Sequence, residues 1–75
     1  MSEIRYPEIV VPMVGEDGNA LAILGRAIRS MKKASRDGII PKEELKATIE
    51  EYQDEAMSGD YNHLIMTTML WFDVT

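Results

Sequence analysis

Asp60 and His63 are the residue pair in this sequence best suited to chemistry, and His63 is its only histidine. Three positions apart on a helix, the two side chains share a face and would supply two metal ligands or an acid–base pair. A third ligand would have to come from Glu16 or Asp17, and nothing in the spacing requires one. The simpler interpretation makes Asp60 a helix N-cap that accepts a hydrogen bond from the His63 amide. We therefore expect a capping role, with no metal and no cofactor.

A glycine-bearing loop, residues 15–19, occupies the position of a phosphate-binding loop before a helix. The carboxylates of Glu16 and Asp17 would repel a phosphate, and the Lys-Ser/Thr pair of a P-loop is missing. The loop is also a poor calcium site because the residues from Ala20 onward are mostly apolar and offer few oxygen ligands. We interpret the segment as a turn that leads into a helix capped by Asn19.

The serines and paired carboxylates make no catalytic arrangement that the sequence reveals. No nucleophile-elbow motif surrounds any serine, and a single histidine is present to activate one. Carboxylate pairs such as Glu51 with Glu55 are typical of a solvated helix face, whereas a catalytic pair needs a cleft that raises one pKa. A chain of 75 residues encloses such a cleft only at the expense of its core. We therefore expect a protein that is not an enzyme.

A row of basic residues is the sharpest alternative signal. Spaced by three, four and three positions, they would lie along one helix face and could contact several phosphates. Against nucleic-acid binding stand the net charge of −5 and the absence of interleaved aromatic residues. We expect acidic side chains of the following helix to pair with this row. The four residues are Arg26, Arg29, Lys33 and Arg36.

The apolar content of the chain favours a protein interface. Three short helices cannot bury every large apolar side chain, so some should remain as an exposed patch of the kind that marks partner or self-association sites. We predict that Leu70, Trp71 and Phe72 form this patch and that the protein is a non-enzymatic interaction module, with a homodimer as one form. A compact monomer with scattered exposed apolar residues is the competing interpretation. The residues in excess are Ile39, Ile40, Met57, Met66, Leu70, Trp71 and Phe72.

Local signals predict one strand and three helices that position these residues. The β-branched segment from Glu8 to Val14 predicts a strand, and Pro12 favours an edge position because it cannot donate to a ladder. Apolar repeats at three- and four-residue steps predict helices over Ala20 to about Ser35, Pro41 to about Met57, and Tyr61 to about Leu70. The expected N-caps are Asn19 and Asp60, and the expected stops are Gly38 and Gly59.

These elements predict a single α+β domain, mainly helical, over residues 1–75. The last residues, about 71–74, are expected to extend beside the first strand, although both helix and strand stay open for residues 67–75. An all-α three-helix domain with extended tails is the alternative fold.

Two segments resemble a group of small uncharacterised, hypothetical proteins of bacteria and their phages. They are Val-Pro-Met-Val-Gly-Glu-Asp-Gly-Asn-Ala-Leu-Ala-Ile-Leu-Gly at residues 11–25 and Ser-Gly-Asp-Tyr-Asn-His-Leu at residues 58–64, followed by Trp71 and Val74. The resemblance implies a bacterial or phage origin and a cytoplasmic setting, and it implies no activity, ligand or catalytic residue.

Cysteine usage and hydropathy agree with a cytoplasmic protein. The chain has no cysteine, so disulfides and thiolate metal sites are excluded. Its longest apolar run is far shorter than the roughly 20 residues that a membrane helix needs. We expect a soluble protein with no membrane association, whose partner is another protein or a second copy of itself.

Overall fold

Two strands and three helices make up the fold in the computed structural model, which describes residues 3–13 and 15–75. The strands form a two-stranded parallel sheet that joins the two ends of the chain. The α+β, mainly helical class and the predicted pairing of the last residues with the first strand are therefore confirmed. In chain order the elements are β1 (Tyr6–Val11), α1 (Ala20–Arg36), α2 (Leu45–Ala56), α3 (Tyr61–Trp71) and β2 (Phe72–Val74).

The sheet register places Tyr6 opposite Phe72 and Val11 opposite Val74, with an irregularity between Tyr6 and Val10. Thr75 continues the ladder, since its amide donates to the Val11 carbonyl (3.2 Å) and its carbonyl accepts from the Met13 amide (2.8 Å). The two segments therefore stay hydrogen-bonded beyond the ends of both strands.

Most element boundaries lie within two residues of the predicted ones. β1 ends at Val11, before Pro12, because proline has no amide hydrogen for a ladder. Val14, the predicted strand end, lies outside the described residues. The prediction that Pro41 begins a helix is wrong: its extended ψ of 136° places it before a 3-10 turn, Lys42–Glu44, and α2 starts only at Leu45.

Local hydrogen bonds explain where the helices start and stop. The Asn19 side chain accepts from the Leu21 amide (2.9 Å) and begins α1, as predicted. At the other end Gly38 adopts a φ of +85°, and the Ile39 amide donates to the Ala34 carbonyl at 2.9 Å. This Schellman arrangement requires the left-handed backbone that glycine adopts without strain.

An aromatic cluster forms the centre of the core. Trp71 and Phe72 are adjacent in sequence yet 3% and 0% exposed, because α3 ends between them and β2 begins. The Tyr52 ring of α2 packs edge-on against both, with centroid distances of 5.5 Å to Trp71 and 5.2 Å to Phe72. Tyr6 of β1 covers the same pair at 6.0 Å and 6.4 Å. These contacts connect β1, α2, α3 and β2.

One buried hydrogen bond lies beside this cluster, between the Tyr52 hydroxyl and Thr68 Oγ1 at 2.7 Å. The Thr68 hydroxyl donates its own hydrogen to the Leu64 carbonyl (2.9 Å), so the Tyr52 hydroxyl must be the donor. Burial raises the pKa of Tyr52.

Replacing Tyr52 by Phe should lower the free energy of unfolding by about 1 kcal/mol at neutral pH, the usual net value of a buried hydrogen bond. The folded-state pKa of Tyr52 is raised, so the native protein loses stability as pH rises above the ordinary tyrosine value of 10.0, while the variant lacks this loss. Urea unfolding of both proteins should show that their difference in free energy of unfolding is smaller near pH 11 than at pH 7. A difference that grows with pH would contradict the burial of this phenol.

Candidate interaction surfaces

The outer face of α3, defined here as Asn62, Met66, Met69 and Leu70, is an exposed helix surface without Asp, Glu, Lys or Arg. Met66, Met69 and Leu70 are 61%, 53% and 48% exposed. Spacings of three and four residues bring them together on one side of the helix. No Asp, Glu, Lys or Arg occurs between Tyr61 and Trp71. The opposite side of α3 is buried and combines Leu64 and Trp71 with Thr67 and Thr68.

The prediction that Trp71 and Phe72 remain exposed is wrong. The helix-to-strand junction turns both side chains into the core, and of the three predicted interface residues Leu70 alone lies at the surface. Trp71 also uses its polar atom internally, since its Nε1 donates to Glu55 Oε2 at 2.7 Å. The other apolar residues that were expected to exceed the capacity of the core also differ in burial: Ile40 is buried, whereas Met57 and Met66 are exposed.

Arg5 covers the remaining side of Trp71. Its guanidinium carbon lies 4.1 Å from the centroid of the Trp71 ring, within the range of a cation–π contact. Two nitrogens of the same guanidinium donate to the Glu51 carboxylate at 2.7 and 3.1 Å. These bonds hold the pKa of Glu51 below its ordinary value and raise the pKa of Arg5. The role of Arg5 was not predicted from the sequence, because Arg5 lies outside every predicted helix and strand.

Replacing Arg5 by Gln should expose one side of the Trp71 ring, shift its fluorescence to longer wavelength and remove a cation–π contact worth about 0.5–1 kcal/mol. Arg5→Lys is the matched control, because it keeps the charge but loses the planar contact with two hydrogen bonds. Its fluorescence and stability should lie between those of the native protein and those of Arg5→Gln. The pKa of Glu51 is lowered in the folded state. The stability difference between the native protein and Arg5→Gln should therefore be largest above the ordinary pKa of 4.5 and decrease as pH falls below it. Unchanged fluorescence in Arg5→Gln would contradict this arrangement.

The predicted basic row lies along α1 but loses its first member. Arg26 is only 7% exposed, so the prediction that it joins an exposed row is wrong. Its Nε donates to the Pro12 carbonyl (2.9 Å) and its Nη2 to the Asp17 carbonyl (2.6 Å). Arg26 therefore fastens the loop that precedes α1. Arg29, Lys33 and Arg36 remain, and all four side chains line one shallow depression of about 380 Å³ that Glu16 also borders.

The expected pairing of this row with the acidic residues of α2 is also wrong. In the described part of the chain, the ion pairs are Arg5 with Glu51 and, within one helix turn, Lys33 with Asp37 at 3.5 Å. Two of the α2 carboxylates have other partners, since Glu51 meets Arg5 and Glu55 meets Trp71. Arg29 and Arg36 consequently face solvent.

Asp60 and His63 have capping roles. The Asp60 carboxylate accepts from the His63 amide at 2.9 Å, which confirms the predicted N-cap. The imidazole Nε2 lies 2.8 Å from the Glu55 carbonyl and 3.1 Å from Ser58 Oγ. Since a carbonyl only accepts, Nε2 must donate, and His63 thus supplies a hydrogen bond at the C-terminal end of α2. Among residues 3–13 and 15–75, no three histidine or acidic side chains are placed to hold a metal ion.

A groove between α1 and α2, which we call the basic groove, was not predicted from the sequence. It is an open depression of about 510 Å³ with Leu45 and Ile49 as its apolar floor, and its polar lining residues are Lys32, Lys42, Lys46, Glu50 and Gln53. Leu45 and Ile49 belong to the apolar stripe of α2, and both are partly buried. The sequence signal that could have indicated this groove is the presence of Lys32 before the turn between α1 and α2 and of Lys42 and Lys46 after it.

No protein-family model matches the sequence, and comparisons with curated proteins and with solved structures also give no match. The described helices include none that is both long enough and apolar enough to cross a membrane.

Proposed function

We propose that this protein is a non-enzymatic interaction module that associates with a second copy of itself through the outer face of α3. The observation that carries the proposal is the combination of three large exposed apolar side chains with a helix that has no charged residue. Large apolar side chains that are exposed together on one helix face are typical of a partner or self-association site.

The absence of Asp, Glu, Lys and Arg from α3 supports a second copy as the occupant of this face. With 13 acidic and 8 basic residues in each copy, charge repulsion opposes contact elsewhere on the surface and opposes it least at this face. Two α3 helices related by a two-fold axis would bring Met66, Met69 and Leu70 of each copy together without opposing like charges. An isologous contact of this kind buries apolar area and leaves the charged helices α1 and α2 in solvent.

Sedimentation over a concentration series tests the association. The native protein should shift from its 8.5 kDa monomer towards twice that mass as concentration rises, whereas Leu70→Glu should stay monomeric because the dimer would bury opposing carboxylates. Leu21→Glu is the matched control: Leu21 is 75% exposed on α1, and the same change there should leave association intact. Far-ultraviolet circular dichroism checks that both variants fold. A native protein that stays monomeric at millimolar concentration, or two variants that behave alike, would refute the proposal.

Nucleic-acid binding through α1 is the second candidate, supported by the finding that Arg29 and Arg36 are not neutralised by α2. If it is correct, affinity for a DNA duplex should fall steeply with salt, and Arg29→Glu with Arg36→Glu should reduce both the affinity and the salt slope. Lys46→Glu paired with Lys42→Glu makes the same change in net charge away from the row and should have a much smaller effect. Salt-independent binding, or equal losses in both double variants, would exclude the candidate.

A further inference from the structure

We infer that the basic groove between α1 and α2 binds a short acidic, amphipathic peptide segment of a partner protein. The groove shares no residue with the outer face of α3, so the inference stands independently of the proposed self-association. It rests on the shape of the groove, the charge around it and the apolar character of its floor.

The groove is longer than a single depression. A second depression of about 500 Å³ shares Lys32, Lys42 and Leu45 with the first and adds Ser35 and Arg36. These neighbours share three lining residues and lie side by side along the α1–α2 contact, and we call the two open depressions together the channel. Leu45 and Gln53, both of which line the groove, are about 12 Å apart along the axis of α2. This distance equals about two helical turns of a bound peptide.

The charge around this channel is opposite to that of the whole protein. Half of the chain's 8 basic residues line it, in a protein whose net charge is −5. Within the described ranges, none of these four cations is ion-paired. The Glu50 carboxylate also borders the channel, but four cations outweigh it, so the local field attracts an anionic segment. The four are Lys32, Arg36, Lys42 and Lys46.

The floor distinguishes a peptide from a nucleic acid. Leu45 and Ile49 are four residues apart on α2 and present a continuous apolar strip at the base of the channel. A phosphate backbone would satisfy the lysines and leave this strip uncovered. An amphipathic peptide satisfies both, because apolar side chains spaced by one helical turn fit the strip while flanking carboxylates reach the lysines. The lysine stems add apolar contact along the walls.

The probe for this site is a fluorescein-labelled helical peptide of about four turns, with leucines on one face and glutamates on either side of them. Native protein should bind it saturably in fluorescence anisotropy, and amide shifts should centre on Leu45 and Ile49. Replacing both Lys32 and Lys46 by Gln should weaken binding about tenfold or more, because it removes two of the cations that meet the peptide. Arg29→Gln with Lys33→Gln removes the same charge from the neighbouring face of α1 and should have little effect.

Two comparison ligands make the outcome decisive. A peptide in which the leucines are replaced by glutamines should bind at least about tenfold more weakly, because it cannot cover the apolar floor. Equal binding of the two peptides, equal losses in both double variants, or no saturable binding at all would overturn the inference. A DNA duplex that binds with shifts at Leu45 and Ile49 while the peptide does not would overturn it in favour of a nucleic acid. Sedimentation of the groove variants should match the native protein, which separates a failure here from a failure of self-association.

Discussion

The helix-to-strand junction at Trp71 and Phe72 is the constraint on which the rest of the fold depends. Because no loop separates α3 from β2, two adjacent large aromatic side chains enter the core together. Tyr6 from the first strand and Tyr52 from α2 pack against both rings, so the two ends of the chain and the middle helix meet at one point. A small domain without disulfides gains from such concentrated burial, since each aromatic residue removes a large area from water.

This junction also determines which surface is left for partners. Once Trp71 and Phe72 are in the core, the predicted apolar patch has to be formed by other residues, and the side of α3 that faces away from the core presents Met66, Met69 and Leu70 instead. The remaining side of Trp71 is covered by Arg5, which in turn engages Glu51 of α2. Glu51 is thereby engaged by Arg5 rather than by α1, and Lys32, Arg36, Lys42 and Lys46 at the α1–α2 contact form no ion pair in the described part of the chain.

The predictions made from sequence succeeded where local chemistry decides the outcome. The caps at Asn19 and Asp60 and the stop at Gly38 depend on neighbouring residues, and the apolar repeats gave the helices within about two residues at most ends. They failed where distant segments decide. The burial of Trp71 depends on β1, and the role of Arg26 depends on carbonyls 9 and 14 residues earlier in the chain. A row of basic residues at helical spacing does not reveal that one member faces a loop.

The separation of charge and apolar surface gives the two proposed contacts different physical characters. Association through α3 relies on apolar burial and strengthens as salt screens the repulsion between two acidic copies, whereas binding in the basic groove relies in part on unpaired lysines and weakens as salt screens them. Since the two surfaces share no residue, a dimer formed through α3 would present two grooves at once. A partner with two acidic segments would then gain from the high effective concentration of the second groove, so that each single contact need only be weak.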